Sequence, residues 1–222
     1  MRNIFARGGI EFLAVFLGIA LSLWVDDYRE DRELKNRLED DFQKIYKEVQ
    51  SNIKNIDNII KKNRNHLKSE SKLLDILNGR EEYSFDTIVN LIDGLKWPTF
   101  FGETTAYRTS ISSGRFNTSN KDTLVRSISL LYEHYFTRLT LNGDILDQRA
   151  FEFLNKYAMR FNKPRFNQQN VDTIELKKYF YSDEFHNGLL SAHDIRKNYY
   201  MFRLNETRNH LGAVKNIFDS SR

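Results

Sequence analysis

From Leu34 onward, the apolar residues Leu38, Phe42, Ile45, Val49, Ile53, Ile56, Ile60, Leu67 and Leu74 recur at intervals of three, four or seven, with no proline among them. Over this length the pattern fits an amphipathic α-helix, and Asn78 with Gly79 supplies its C-terminal stop. The stripe is narrow, as in a coiled-coil seam, and Asn63 falls on it, where a polar residue sets register. Packing against helices of the same chain and pairing with another chain both satisfy such a stripe.

The stripe is preceded by GGIEFLAVFLGIALSLWVDD, residues 8–27. As a helix, residues 9–25 would extend about 25 Å, near the lower limit for crossing the hydrocarbon core. Arg2 and Arg7 lead the segment, Trp24 and Tyr28 lie where an aromatic belt would sit, and Asp26 and Asp27 close it. This reads as a single-pass membrane anchor over residues 1–25, followed by a helical-bundle domain over 26–222. The rival is a cleaved signal peptide with small residues at Ala20 and Ser22; Glu11 and the direct run into a helical pattern argue against it. Helical spacing puts Glu11, Ala14, Gly18 and Ser22 on one face, and small residues at that spacing allow close helix approach in lipid. Three roles fit Glu11: snorkelling to the headgroups, a buried contact between copies, or a lining group of an oligomeric pore. Arg29, Arg32, Lys35 and Arg37 follow the span closely, so counting basic residues does not fix its orientation.

The remainder also reads as helix. With two prolines and ten glycines in 222 residues, long uninterrupted helices are expected. A helix runs from the cap Ser84 to Lys96 and is stopped by Trp97 and Pro98. A short helix bearing Tyr107 and Ile111 closes at Gly114, which is expected to adopt positive φ. Ser119 or Asn120 caps the next helix, with a stripe of Leu124, Ile128, Leu131, Tyr135, Leu139, Leu146, Phe153 and Tyr157 and a break expected at Asn142-Gly143. A loop at residues 162–170, a short helix near Thr173 to Tyr181, and a long helix from the cap Ser182 to about Phe218 complete an all-α class, with short connections favouring an antiparallel bundle.

The opening segment resembles that of an uncharacterised family of bacterial single-pass membrane proteins, through Glu11 with Gly18 and Ile19 seven residues on. The stretch TAYRTSISSGRFNTSNKDTLVRSISLLYEHY is similar to the same family at Thr105, Tyr107, Ser113, Gly114, Leu124 and Tyr132. The resemblance covers about a third of the chain and implies architecture and membrane location; the expected placement is the bacterial inner membrane, with the soluble part on the periplasmic side. It implies no chemistry. The long basic segment that often precedes the family's span is here reduced to Arg2 and Arg7.

Catalytic signatures are scarce. The absence of cysteine removes disulfides, thiolate nucleophiles and cysteine-ligated metals. There is no glycine-rich phosphate loop, paired-histidine zinc motif or nucleophile elbow. His66, His134, His186, His193 and His210 are scattered, and His186 with His193 and Asp194 lacks a converging third ligand, so neither metal nor cofactor is expected. Asp26, Asp27, Glu30 and Asp31 alternate with Arg29 and Arg32 as on a solvated helix face. The net charge of +4 and the pI near 9.1 come from interleaved charges, which does not favour a nucleic-acid partner. One pattern, Arg203 and His210 with Asn205 and Glu206 between, resembles the Arg-His signature of the HEPN helical-bundle ribonucleases, with Leu204 a departure. That resemblance implies the two side chains acting together on an RNA 2′-hydroxyl and phosphate. The expected function is accordingly a membrane-anchored, self-associating scaffold, sensor or effector subunit, with the bilayer, other copies and an unidentified protein as partners. The alternatives are a membrane-tethered ribonuclease using Arg203 and His210, and a pore lined by Glu11.

Overall fold

The computed structural model describes residues 2–161 and 172–220, with side chains from residue 12 onward except residue 14. Every regular element is helical and no strand occurs among the described residues, so the fold class is all-α. The first helix, α1, spans Arg2–Leu77 without a break. It ends as its sequence demands, in Gly79 at φ 69°. Next come α2 (Phe85–Gly94), α3 (Thr105–Ser112) and a 3₁₀ turn, Arg115–Thr118. A continuous helix α4 covers residues 122–161, α5 is Thr173–Phe180, and α6 covers residues 183–220. The expected loop at 162–170 lies outside the described residues.

The chain divides into two compact units, Met1–Ile45 with Thr105–Lys121, and Tyr46–Thr104 with Asp122–Arg222. In the first, α3 and the 3₁₀ turn are held by Asp41 of α1, 5% exposed. Its carboxylate accepts from Ser110 Oγ at 3.0 Å and from Arg115 Nε at 2.9 Å. The Phe116 ring meets Phe42 at 6.0 Å and Tyr107 edge-on at 5.5 Å. Ile111, expected inside with Tyr107, is exposed; the buried position on that turn belongs to Ser110, because the hydroxyl has a carboxylate to reach. Gly114, at φ 74°, turns the chain out of α3 into the 3₁₀ turn.

In the second unit, α4 and α6 run antiparallel. Residues 122–136 approach the last helical stretch of α6, 137–152 approach 195–200, and 153–158 approach 183–194. The expected break at Asn142-Gly143 is absent, and α4 continues through it. Gly143 is buried against Thr99 and Tyr200, with 3.6 Å from Thr99 Cβ to where a Cβ would stand. The irregularities are instead three π turns, Leu130–Phe136 and Phe153–Ala158 in α4 and Ile195–Tyr200 in α6. Each carries large buried side chains, and the wider turn re-aims them toward the interior. At Gly188 a Cβ would stand 2.5 Å from the Tyr157 ring, so glycine is what lets α6 and α4 close there.

The α1 stripe is buried at Val49, Ile56 and Ile60, but Leu67 and Leu74 are only half-buried. The buried face moves to Asn63, Glu70, Leu73 and Ile76. A straight helix drifts about 20° per heptad from a strict seven-residue repeat, and the polar residues are drawn inward by partners on distant segments.

Two outcomes follow for the first unit. Gly114→Val forces a β-branched residue into the left-handed region and should cost about 1–2 kcal/mol in denaturant unfolding. Burial acts to raise the Asp41 pKa, but hydrogen bonds from Arg115 and Ser110, with the attraction of Arg115 and Lys44, outweigh it and hold the carboxyl below its ordinary 3.8. As pH falls through that range the unfolded chain takes up a proton that folded Asp41 refuses, so the stabilisation is present above it and lost below. Unfolding curves between pH 5 and 3 should flatten in Asp41→Asn.

Candidate assembly segment and buried ion cluster

Two features stand apart from ordinary packing. The first is the start of α1. Phe12, Leu13, Val15, Phe16, Leu17, Ile19, Leu21, Leu23 and Trp24 are all more than half exposed, with Phe12 at 69% and Trp24 at 65%. Gly18 has nothing within 4 Å of its missing Cβ, and Ser22 is exposed. Glu11 and Ala14 lie outside the described side chains, so the four-residue face is seen only at Gly18 and Ser22. From Asp26 to Arg37 every side chain is exposed, including the acidic run Asp26, Asp27, Glu30 and Asp31, and Glu33 pairs with Arg37 four residues on. Among the described residues, no helix is long and apolar enough to cross a membrane.

The second feature was not singled out from the sequence. The connection 95–104 is an extended strap with no secondary structure, and side chains satisfy its backbone. Asn52 of α1 both donates to the Glu103 carbonyl and accepts from its N–H, each at 2.8 Å. Asn55 donates to the Phe101 carbonyl at 3.0 Å, and Asn63 to that of Pro98 at 2.8 Å. The Phe100 N–H donates to Tyr200 Oη at 2.7 Å, and Arg196 Nη2 donates to the Lys96 carbonyl at 2.7 Å. Asn63, expected on the stripe where a polar residue sets register, is buried and bonds the strap of its own chain.

Arg196 belongs to a buried ion cluster. Its Nη2 lies 3.1 Å from Glu70 Oε1, both side chains being fully buried, and its guanidinium sits 5.1 Å above the Trp97 ring. Glu70 Oε2 accepts from His193 Nδ1 at 3.2 Å. Arg196 Nε and Nη1 and Trp97 Nε1 have no hydrogen-bond partner among the described residues. Burial pushes the guanidinium down to about 10 against the attraction of Glu70. His66 is held below its ordinary value first by burial, then by repulsion from Arg196.

The remaining candidate residues are dispersed. Arg203 pairs with Glu206 at 2.7 Å, whereas His210 Nε2 bonds the Ser127 carbonyl at 3.0 Å and its ring stacks on Tyr135 at 4.3 Å. Within the chain, each is committed to its own partner. His193 faces Glu70 and Asp194 bonds Asn198, so neither joins His186. No group of three or more metal-binding side chains converges among the described residues. A cleft of about 120 Å³ between α4 and α6, lined by Arg149, Glu152, Tyr157 and Ser191 among others, is small, and Arg149 and Glu152 pair with each other at 2.8 Å.

An all-helical chain with a polar-clamped strap and an exposed apolar leading helix defines an architectural class before it suggests any reaction. The chain belongs to the family of unknown function DUF6090, whose model matches residues 11–182. No curated protein and no solved structure matches it.

The cluster makes one prediction. Glu70→Gln leaves the Arg196 charge buried without its counter-ion and should cost about 3–5 kcal/mol in unfolding free energy measured by urea titration.

Proposed function

We propose that this protein is a self-associating helical protein, anchored once in a bacterial inner membrane, that acts as scaffold, sensor or effector subunit with no chemistry of its own. The observation that carries the reading is the exposed apolar run from Phe12 to Trp24, followed on the same helix by a stretch, Asp26 to Arg37, rich in charged residues. Each such large side chain left in water forgoes about 1.5–3 kcal/mol relative to burial, which a bilayer or a partner helix would recover. With Gly9, Ile10 and Glu11 the segment reaches 17 residues by sequence, the minimum for a span. The open position at Gly18 suits close approach of a second copy along the Glu11, Ala14, Gly18 and Ser22 face. The periplasmic placement of 26–222 belongs to the same reading and predicts digestion of that part by protease added to spheroplasts. The separate commitments of Arg203 and His210 give a ribonuclease reading no support within one chain.

The test is cross-linking in membranes, with ion flux measured in liposomes. Full-length protein should resist carbonate extraction. Gly18→Leu should abolish the cross-linked oligomer by bulk, and Glu11→Gln should preserve it, because an amide still hydrogen-bonds in lipid. Loss of a pH-dependent flux in Glu11→Gln with the oligomer intact would move the assignment to a pore. Carbonate-extractable protein would sink the anchor, and unchanged oligomers in Gly18→Leu would sink the face.

A further inference from the structure

In the sequence, acidic residues are scattered among the lysines in the second half of α1, but the fold engages each of them elsewhere. Glu70 is buried against Arg196, Asp57 is tied to Arg208 of α6 at 2.6 Å, and Asp75 to Arg80 at 3.0 Å. The outer side of the helix keeps a line of Lys54, Asn58, Lys61, Asn65, Lys68 and Lys72, all exposed, with exposed Lys62 and Arg64 beside it. Their spacing of four, three, four, three and four runs them along one side of the helix for about 27 Å, and Lys54, Lys61 and Lys68 follow one another at about 10.5 Å. Of these cations, only Lys72 pairs with a carboxylate among the described residues, Glu81 at 3.6 Å.

Other helix surfaces of the molecule are laid out differently. Their exposed charges stand in opposite-sign pairs one turn apart, as in Glu33 with Arg37, Arg149 with Glu152, Arg203 with Glu206 and Lys215 with Asp219. On this face Lys61 and Arg64, Arg64 and Lys68, and Lys68 and Lys72 are like-sign neighbours at the same spacings. Such neighbours weaken a helix, and an anionic partner would turn the repulsion into attraction. We propose that this face docks an acidic α-helix of another protein, one that carries carboxylates in the same four-three repeat. A helix lying alongside shares the 1.5 Å rise, so a carboxylate at every seventh residue meets Lys54, Lys61 and Lys68 in turn, and the amides of Asn58 and Asn65 bond polar side chains between them. A nucleic-acid duplex fits less well, because its phosphate strands wind away from a straight line and the line carries no arginine to reach base edges. An anionic bilayer also fits less well, because no apolar side chain on the line can enter it. The inference deepens the scaffold reading and rests on it for its setting, while the face itself lies wholly in the second unit, apart from Gly18.

The experiment titrates full-length protein in non-ionic detergent micelles into a fluorescent helical peptide of about 24 residues, long enough to hold a helix, with glutamate in that repeat. Binding should be saturable at low salt and weaken as salt rises. It should be at least about tenfold tighter than binding of an isomer with the same residues and its glutamates spread around the helix. Lys61→Glu/Lys68→Glu should abolish binding, and a peptide with lysine at the two facing positions should restore it. Arg126→Glu/Arg138→Glu on α4 makes the same change of net charge and should leave binding intact. Gly18→Leu should bind the peptide as the parent does, so failure of self-association and failure of this face are read separately. Should the double reversal lose helical ellipticity, Lys61→Gln/Lys68→Gln decides: weakened binding supports the face and unchanged binding overturns it. No saturable binding, equal binding of the isomer, or tighter binding of duplex DNA or phosphatidylglycerol vesicles would each overturn the proposal.

Discussion

A peptide laid between helices in extended form has no ladder to satisfy its N–H and C=O groups, and leaving them unmet in a partly buried site costs about 1–3 kcal/mol each. The second unit is arranged around meeting that demand. Asn52, Asn55 and Asn63 of α1 and Arg196 and Tyr200 of α6 read the strap's backbone and leave its side chains free to pack, so Leu95, Trp97 and Phe100 turn inward. The arrangement explains why α1 carries polar residues on its buried face, where a helix packed only on helices would carry leucine or isoleucine.

The π turns serve the same end. The turn Ile195–Tyr200 holds both Arg196 and Tyr200, each buried and each bonded to the strap. The turn Leu130–Phe136 buries Tyr132, whose hydroxyl donates to buried Glu48 at 2.7 Å, and Phe136, whose ring lies against Gly102 of the strap. Wider turns thus sit where large polar or aromatic groups must be aimed at a non-helical neighbour. A carboxylate on α1 closes each device: Glu48 for Tyr132, and Glu70 for Arg196 and His193. In the first unit Asp41 does the same for Ser110 and Arg115.

The start of α1 follows the opposite logic. Its apolar side chains from Phe12 to Trp24 are more than half exposed, and the charge-rich stretch that follows is exposed as well, with local pairs such as Glu33 with Arg37. The bundle and the leading helix therefore differ in how their apolar side chains are covered, and that contrast is what the proposed anchoring and assembly would answer.

The all-α class, the stop at Gly79, the caps Ser84 and Ser182, the positive φ of Gly114 and the apolar character of residues 12–25 were legible in the sequence. They depend on short-range rules: helical periodicity, side-chain hydroxyls near free N–H groups, and the freedom of glycine. The strap, the ion cluster and the passage of α4 through Asn142-Gly143 were not, because they join residues far apart in the chain. Glu70 and His193 are separated by 123 positions, and nothing near either marks the other as its partner. Asn63 left a trace in the sequence, an amide where a seam should be apolar, yet the pattern could not say whether it met another chain or a strap of its own, and nothing marked Asn52 or Asn55. Local sequence determined which segments are helical and where they end. The tertiary structure alone decided which polar residues are buried, because a buried charge or amide is tolerable only where a complementary group arrives from elsewhere in the fold.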